Sequence, residues 1–158
     1  MENTNGNPKL IHEMYADYTK IYSDGSKTKE LNRTAAAMVI PKQQTQISAR
    51  LPDGFNYSSE FWAINQSLKW IQTQTHLRYI IIIDSLIVLN YNKTGSTRSR
   101  ENMLEETMLL LPEVEEKQHS IEFLWVPSYI NLIGNEKADL AAKRNLLNSN
   151  IYPHAYSI

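Results

Sequence analysis

A chain of 158 residues, 42% hydrophobic and 21% charged, is long enough to bury one ordinary core and too short for two, and its composition argues against disorder. The absence of cysteine excludes disulfides, thiolate metal sites and a cysteine nucleophile. A net charge of -1 is unlike that of a domain that grips nucleic acid unaided, so any such role must rest on local patches or neighbouring domains.

Residues 1–16 are polar and begin with Asn, Gly and Pro, which reads as an N-terminal tail or linker remnant. They contain no signal-peptide core, and no apolar run approaches the ~20 residues of a membrane span. The expectation is a soluble protein inside the cell, cytoplasmic or nuclear, with no membrane partner. KIYSDGSK then reads as a strand ending in a turn, and RTAAAMVIP and TQISARL as two further strands, followed by the turn residues DG at 53–54. Together they predict an antiparallel meander. At NYSSEFWAINQSLKWIQTQT the period changes. Phe61, Ile64, Leu68 and Ile71 form a helical stripe, with Ser58 or Ser59 as the N-cap.

RYIIIIDS follows, a β-branched run without alternation, as expected of a strand covered on both faces. A short helix at 86–91 and the loop NKTGSTRS lead to a second amphipathic helix with Leu104, Met108 and Leu111 as its stripe, ended or kinked by Pro112. SIEFLWVP is the last strand. GNEKADLAAKRNLL closes the chain with a helix that buries Ala138, Ala141, Ala142 and Leu146. The predicted fold class is α/β: a five-stranded mixed sheet, three antiparallel strands then parallel ones, flanked by helices. The domain is expected over residues 17–147, with 148–158 as a C-terminal tail.

Four acids fall at telling places on this map. Asp24 ends the first strand in a turn with Gly25, and Asp84 ends the isoleucine strand. Glu60 lies in the first turn of the first long helix, and Asp139 early in the last. Ligands of parallel sheets collect outside the carboxyl ends of strands. If strands one and four are neighbours, the four carboxylates meet at one end of the sheet. Crowded carboxylates repel unless a cation joins them. Mg²⁺ takes oxygen ligands, and a pair of ions roughly 3.5–4 Å apart can drive in-line phosphoryl displacement. Each acid taken singly is more often structural than catalytic, as a turn residue, a first-turn acid or an N-cap. Joint placement is what points to chemistry.

The segments IYSDGSK, SSEFWAI, YIIIIDSLIVL and FLWVPSYINLIGNEKADLAAK resemble, in this order, the four signature segments of type 1 ribonuclease H domains. The nearest likeness is to those attached to reverse transcriptases in non-LTR retrotransposons. The resemblance covers residues 17–147. It implies endonucleolytic hydrolysis of the RNA strand of RNA–DNA hybrids, two Mg²⁺ ions with Mn²⁺ as a substitute, and a reverse transcriptase domain as a partner within a parent polypeptide. It also implies that Asp24 bridges both ions, that Glu60 and Asp84 complete the site of the leaving oxygen, and that Asp139 holds the ion carrying the attacking water. Gly25, Ser26 and Asn56 are expected against the hybrid's minor groove, where the RNA 2′-hydroxyl is read. Ser85 and Asn135 are expected beside the acids, orienting them and lying against substrate. The domain is expected to be a monomer.

The sequence also departs from that pattern. Where the family usually has a histidine in the loop before the last acid, this chain has Tyr129, and a phenol with pKa near 10 cannot shuttle protons at neutral pH. His12, His76, His119 and His154 read as surface residues outside this loop. KTKELNRTAAA lacks the glycines expected after the first acid, and no basic, aromatic-rich insertion stands between residues 85 and 120. The basic groups Lys27, Lys29 and Arg33, and Lys93, Arg98 and Arg100, read as solvated loops. Hybrid binding by the isolated domain is therefore expected to be weak and salt-sensitive. The leading expectation is a ribonuclease H slowed by Tyr129. Its alternative is a catalytically weak or inactive structural or tethering domain of a retroelement-derived protein. A more distant one is another nuclease or transposase of the same superfold, whose acid spacing would differ.

Overall fold

The computed structural model describes residues 7–28, 30, 32–51, 59–75, 78–83, 112, 119–126 and 132–147. The expected turn at 53–54, the short helix at 86–91, the loop at 92–99 and the helix carrying Leu104, Met108 and Leu111 lie outside the described residues. The described elements run in the order α1 (Pro8–Met14), β1 (Thr19–Thr28), β2 (Arg33–Ile40), β3 (Thr45–Leu51), α2 (Ser59–Gln72), β4 (Arg78–Ile83), β5 (Ser120–Trp125) and α3 (Ile133–Asn145).

The five strands form one sheet in the order β3-β2-β1-β4-β5. β1 pairs antiparallel with β2, and β2 with β3, which is the expected meander. β1 pairs parallel with β4, and β4 with β5. Strands one and four are thus neighbours, the condition on which a shared acidic edge depends.

Strand alternation divides the core into two layers. Ile21 of β1, Met38 and Ile40 of β2, and Ile81 and Ile83 of β4 face α2, where Ile64, Leu68 and Ile71 meet them. Tyr22, Ala37, Val39, Ile80 and Ile82 face the other way, onto Ala138, Ala141 and Ala142 of α3 and Ile11 of α1. The four isoleucines therefore split two and two, and all are buried. This is why they show no alternation in sequence: both faces of β4 are covered.

α1 was not anticipated, because its residues read as a tail. Asn7 caps it, its Oδ1 accepting the Lys9 and Leu10 N–H groups at 3.0 and 3.4 Å, and Pro8 stands in the first turn. Its single fully buried residue, Ile11, is too little to produce a periodic signal. Lys20 ties the end of the helix to the sheet, its Nζ donating to the Tyr15 carbonyl at 2.9 Å.

β1 is also longer than expected. DGS reads as a turn, yet Asp24, Gly25 and Ser26 remain paired with Ala37, Ala36 and Ala35, and the ladder continues to Thr28 opposite Arg33. Antiparallel pairing along one edge overrides the local turn preference. On the other edge the parallel ladder ends at Ser23 opposite Ile83. The glycines missing from the next turn are replaced in part by Asn32, which takes the left-handed conformation with φ 48°, a region asparagine tolerates better than most residues. No described helix is long and apolar enough to cross a membrane.

Candidate active site

Asp24 occupies the position on β1 just past the last residue paired with β4. β2 pairs with its backbone on one side, and the parallel ladder to β4 ends one residue before it. The side chain is 6% exposed, and its Oδ1 accepts the Gly25 N–H at 2.8 Å. An acid held in a strand, buried and oriented by the next peptide is not a turn residue, and the turn reading is set aside. Alternation places Asp24 on the same face as Tyr22, the face that α3 covers.

Asp139 stands in the middle of α3, between the buried Ala138 and the exposed Leu140. Its Oδ2 accepts from Lys143 Nζ at 2.8 Å, one helical turn on. The Lys143 ammonium is pushed above its ordinary pKa, first by its hydrogen bond and charge attraction to Asp139 and then by the charge of Asp24. The influence of Asp24 is the smallest of these. A strand acid and a helix acid more than a hundred residues apart in sequence act on the same cation.

α3 is anchored near both ends around Asp139. Near its start, Asn135 is 8% exposed, and Gly134 lies against the ring of Tyr22. Near its end, Asn145 Nδ2 donates to Ser48 Oγ of β3 at 2.7 Å, and Arg33 Nη1 donates to the Leu146 carbonyl at 3.1 Å. Gly25 and Ser26 continue β1 beyond Asp24 and are half-buried. They lie past the end of the parallel ladder, where the strand's β4 side has no ladder partner among the described residues.

Of the remaining expected site residues, Glu60 is the second residue of α2, and only its backbone is described. Asp84 follows Ile83, the last residue of β4, by one peptide bond. Asp84, Ser85, Asn56 and Tyr129 lie outside the described residues. Among the described residues no three acids or histidines are grouped as a metal site would need. The two acids that are described do fit a hard cation. They offer oxygen donors alone, and their field already favours a positive charge on Lys143.

One expectation is overturned. His119 is not a surface residue: it is 5% exposed and its ring meets Tyr79 edge-on with centroids 5.6 Å apart. It precedes β5, whose first residue pairs with Arg78 at the start of β4. That is the opposite end of the sheet from Asp24, about 20 Å away along the strands at ~3.3 Å per residue. His119 therefore cannot stand in for a histidine in the loop before Asp139. His12 is exposed, as expected. Lys143 was missed by the sequence reading, although its spacing of four from Asp139 on a helix was the signal for it.

A buried strand acid, a helix acid paired with Lys143 and a mixed sheet in this strand order define an α/β domain with acids at the carboxyl end of its parallel strands. Residues 16–146 match the family model for RNase H. The chain belongs to the ribonuclease H family, and its sheet and helices are those of an α/β ribonuclease H-like fold. It is thus a nuclease-type hydrolase domain of a family that generally uses divalent metal ions and acts on RNA–DNA hybrids. No match was found among curated proteins.

Proposed function

We propose that this domain cleaves the RNA strand of RNA–DNA hybrids endonucleolytically, with two Mg²⁺ ions held by Asp24, Glu60, Asp84 and Asp139. The observation that carries the reading is the position of Asp24: buried, oriented by the Gly25 N–H, and at the point where parallel pairing stops. Bound divalent ions would supply charge stabilisation at the scissile phosphate and a water activated at neutral pH.

The chain's own residues do the rest. β1 and β2 hold Asp24 rigid, so its carboxylate needs little reorganisation when substrate arrives. The Gly25 N–H fixes which oxygen of Asp24 turns inward. Ser26, further along β1, offers a hydroxyl to the minor groove, where a 2′-hydroxyl distinguishes RNA from DNA. Lys143 holds Asp139 in one rotamer through their 2.8 Å contact. Tyr129 offers no proton relay at neutral pH, which slows the reaction. The domain acts as a monomer, joined in a parent polypeptide of retrotransposon type to a reverse transcriptase.

One observation favours a second reading, a catalytically silent tethering domain. The Lys143–Asp139 contact is also what an ordinary structural ion pair looks like. Labelled hybrid incubated with Mg²⁺ or Mn²⁺ separates the two. The proposal expects metal-dependent cleavage of the RNA strand that disappears in Asp84→Asn and increases in Tyr129→His. General acid–base assistance is worth about 10²–10⁴-fold, so a gain of even tenfold in Tyr129→His is informative. Equal inertness of wild type, Asp84→Asn and Tyr129→His would favour the silent domain.

A further inference from the structure

We infer that Gly134 and Tyr22 form a positioning pair that sets the approach of Asp139 to Asp24. This rests on the ribonuclease reading and adds to it two residues that carry no chemistry themselves. Tyr22 lies two residues before Asp24 on β1 and shares its face of the sheet. Gly134 lies five residues before Asp139 on α3, about 7.5 Å along the axis at ~1.5 Å per residue. A Cβ built at Gly134 would fall well inside van der Waals contact of three ring atoms of Tyr22, Cδ2, Cε2 and Cζ. The ring occupies the volume that any other residue at 134 would need.

The ring cannot readily yield. Tyr22 is buried and packs in one cluster with Val39, Ile80, Ile82, Ala138 and Ala141, and close-packed interiors transmit displacement rather than absorb it. A side chain at 134 must therefore move α3. The far end of the helix is tied to β3 through Asn145 and Ser48, so the movement pivots the N-terminal half and shifts Asp139 at the centre of the helix. Seen this way, Gly134 is not a helix fault. Intrinsic propensity favours alanine over glycine inside a helix, so propensity and the tyrosine contact predict opposite outcomes for the same substitution.

The test uses the full chain and Mn²⁺ as the probe, its free concentration followed by electron paramagnetic resonance during titration of the metal-free protein. Gly134→Ala is expected to weaken Mn²⁺ binding about tenfold, the lower end of what outer supporting contacts give. It should also lower kcat for hybrid with little change in KM. Tyr22→Leu, which removes the ring, is expected to weaken binding similarly, while Tyr22→Phe keeps the ring and keeps wild-type affinity. Because both changes act on one contact, Gly134→Ala/Tyr22→Leu should be impaired about as much as either single variant, not by the product of the two losses. Wild-type Mn²⁺ affinity in both single variants, or losses that multiply, overturns the pair. Should Gly134→Ala not fold, Tyr22→Leu against Tyr22→Phe decides, and equal affinity in those two overturns it. If wild type itself shows no Mn²⁺ binding that Asp24→Asn abolishes, the ribonuclease reading fails and takes the pair with it. Wild-type binding with unaffected variants sinks the pair alone.

Discussion

The two ends of the parallel strands carry polar groups in opposite ways. Where β4 and β5 begin, the protein satisfies its own polar groups. Arg78 meets Asp17 at 2.8 Å, the Tyr18 hydroxyl donates to Glu122 at 3.0 Å, and Tyr79 donates to the Thr75 carbonyl at 3.3 Å while its ring stacks edge-on with Trp70 and His119. Where β1 passes the end of β4, an acid is buried instead: Asp24 lies there with the Gly25 N–H on its Oδ1. The first end is closed by mutual pairing and aromatic packing. The second buries a carboxylate, which costs stability unless hydrogen bonds or a cation offset it. Titratable residues at a sheet end are therefore not by themselves a signature of function.

Substitutions at the two ends should separate stability from activity. The largest effect belongs to Tyr79→Ala, which empties the aromatic end. It should cost about 3–5 kcal/mol, as large-to-small aromatic substitutions in cores do, and denaturant unfolding measures it. If the protein that survives still cleaves hybrid at the wild-type rate per folded molecule, the division holds. Asp24→Asn should do the reverse. It should lower hybrid cleavage by about 10²-fold or more and leave Tm unchanged or raised, since a buried charge is removed while the contact to the Gly25 N–H can persist. A large fall in Tm would mean that Asp24 is structural.

A smaller effect is expected at high pH. Burial pushes the Tyr22 and Tyr79 hydroxyls above their ordinary value of 10.0. The native state then holds protons that the unfolded chain releases, so this contribution is fully present below about pH 10 and is lost as pH rises through the raised folded values. Stability measured against pH should fall above that point, and Tyr22→Phe should move the fall upward. An unmoved alkaline limb would show that Tyr22 is not deprotonated on unfolding. The smallest effect is expected from Arg78→Ala. Both partners of its ion pair are more than half exposed, and such pairs contribute about 0.2–1 kcal/mol. A larger loss would give the closed end an electrostatic role that its exposure argues against.

Much of this arrangement was legible in the residues. Ile64, Leu68 and Ile71 announced α2, the unbroken isoleucines announced a strand covered twice, and Ala138, Ala141 and Ala142 announced the inner face of α3. Each is a short-range pattern read through one element's own periodicity. What escaped depended on partners outside the element itself. The extension of β1 past DGS came from pairing with β2. The burial of His119 came from Tyr79, and the core role of Ile11 from a helix with too few buried positions to show a stripe. Four acids in family order were named, each with a role that only the family resemblance supplied.

By itself, then, the sequence determined the class of the fold and the family, because local periodicity and residue type are written in neighbouring positions. Only the tertiary structure decided that Asp24 belongs to a strand and that Gly134 makes room for Tyr22. The first came from pairing with β2 and the second from residues over a hundred positions apart. Register, helix approach and burial exist only once the whole sheet has closed around them.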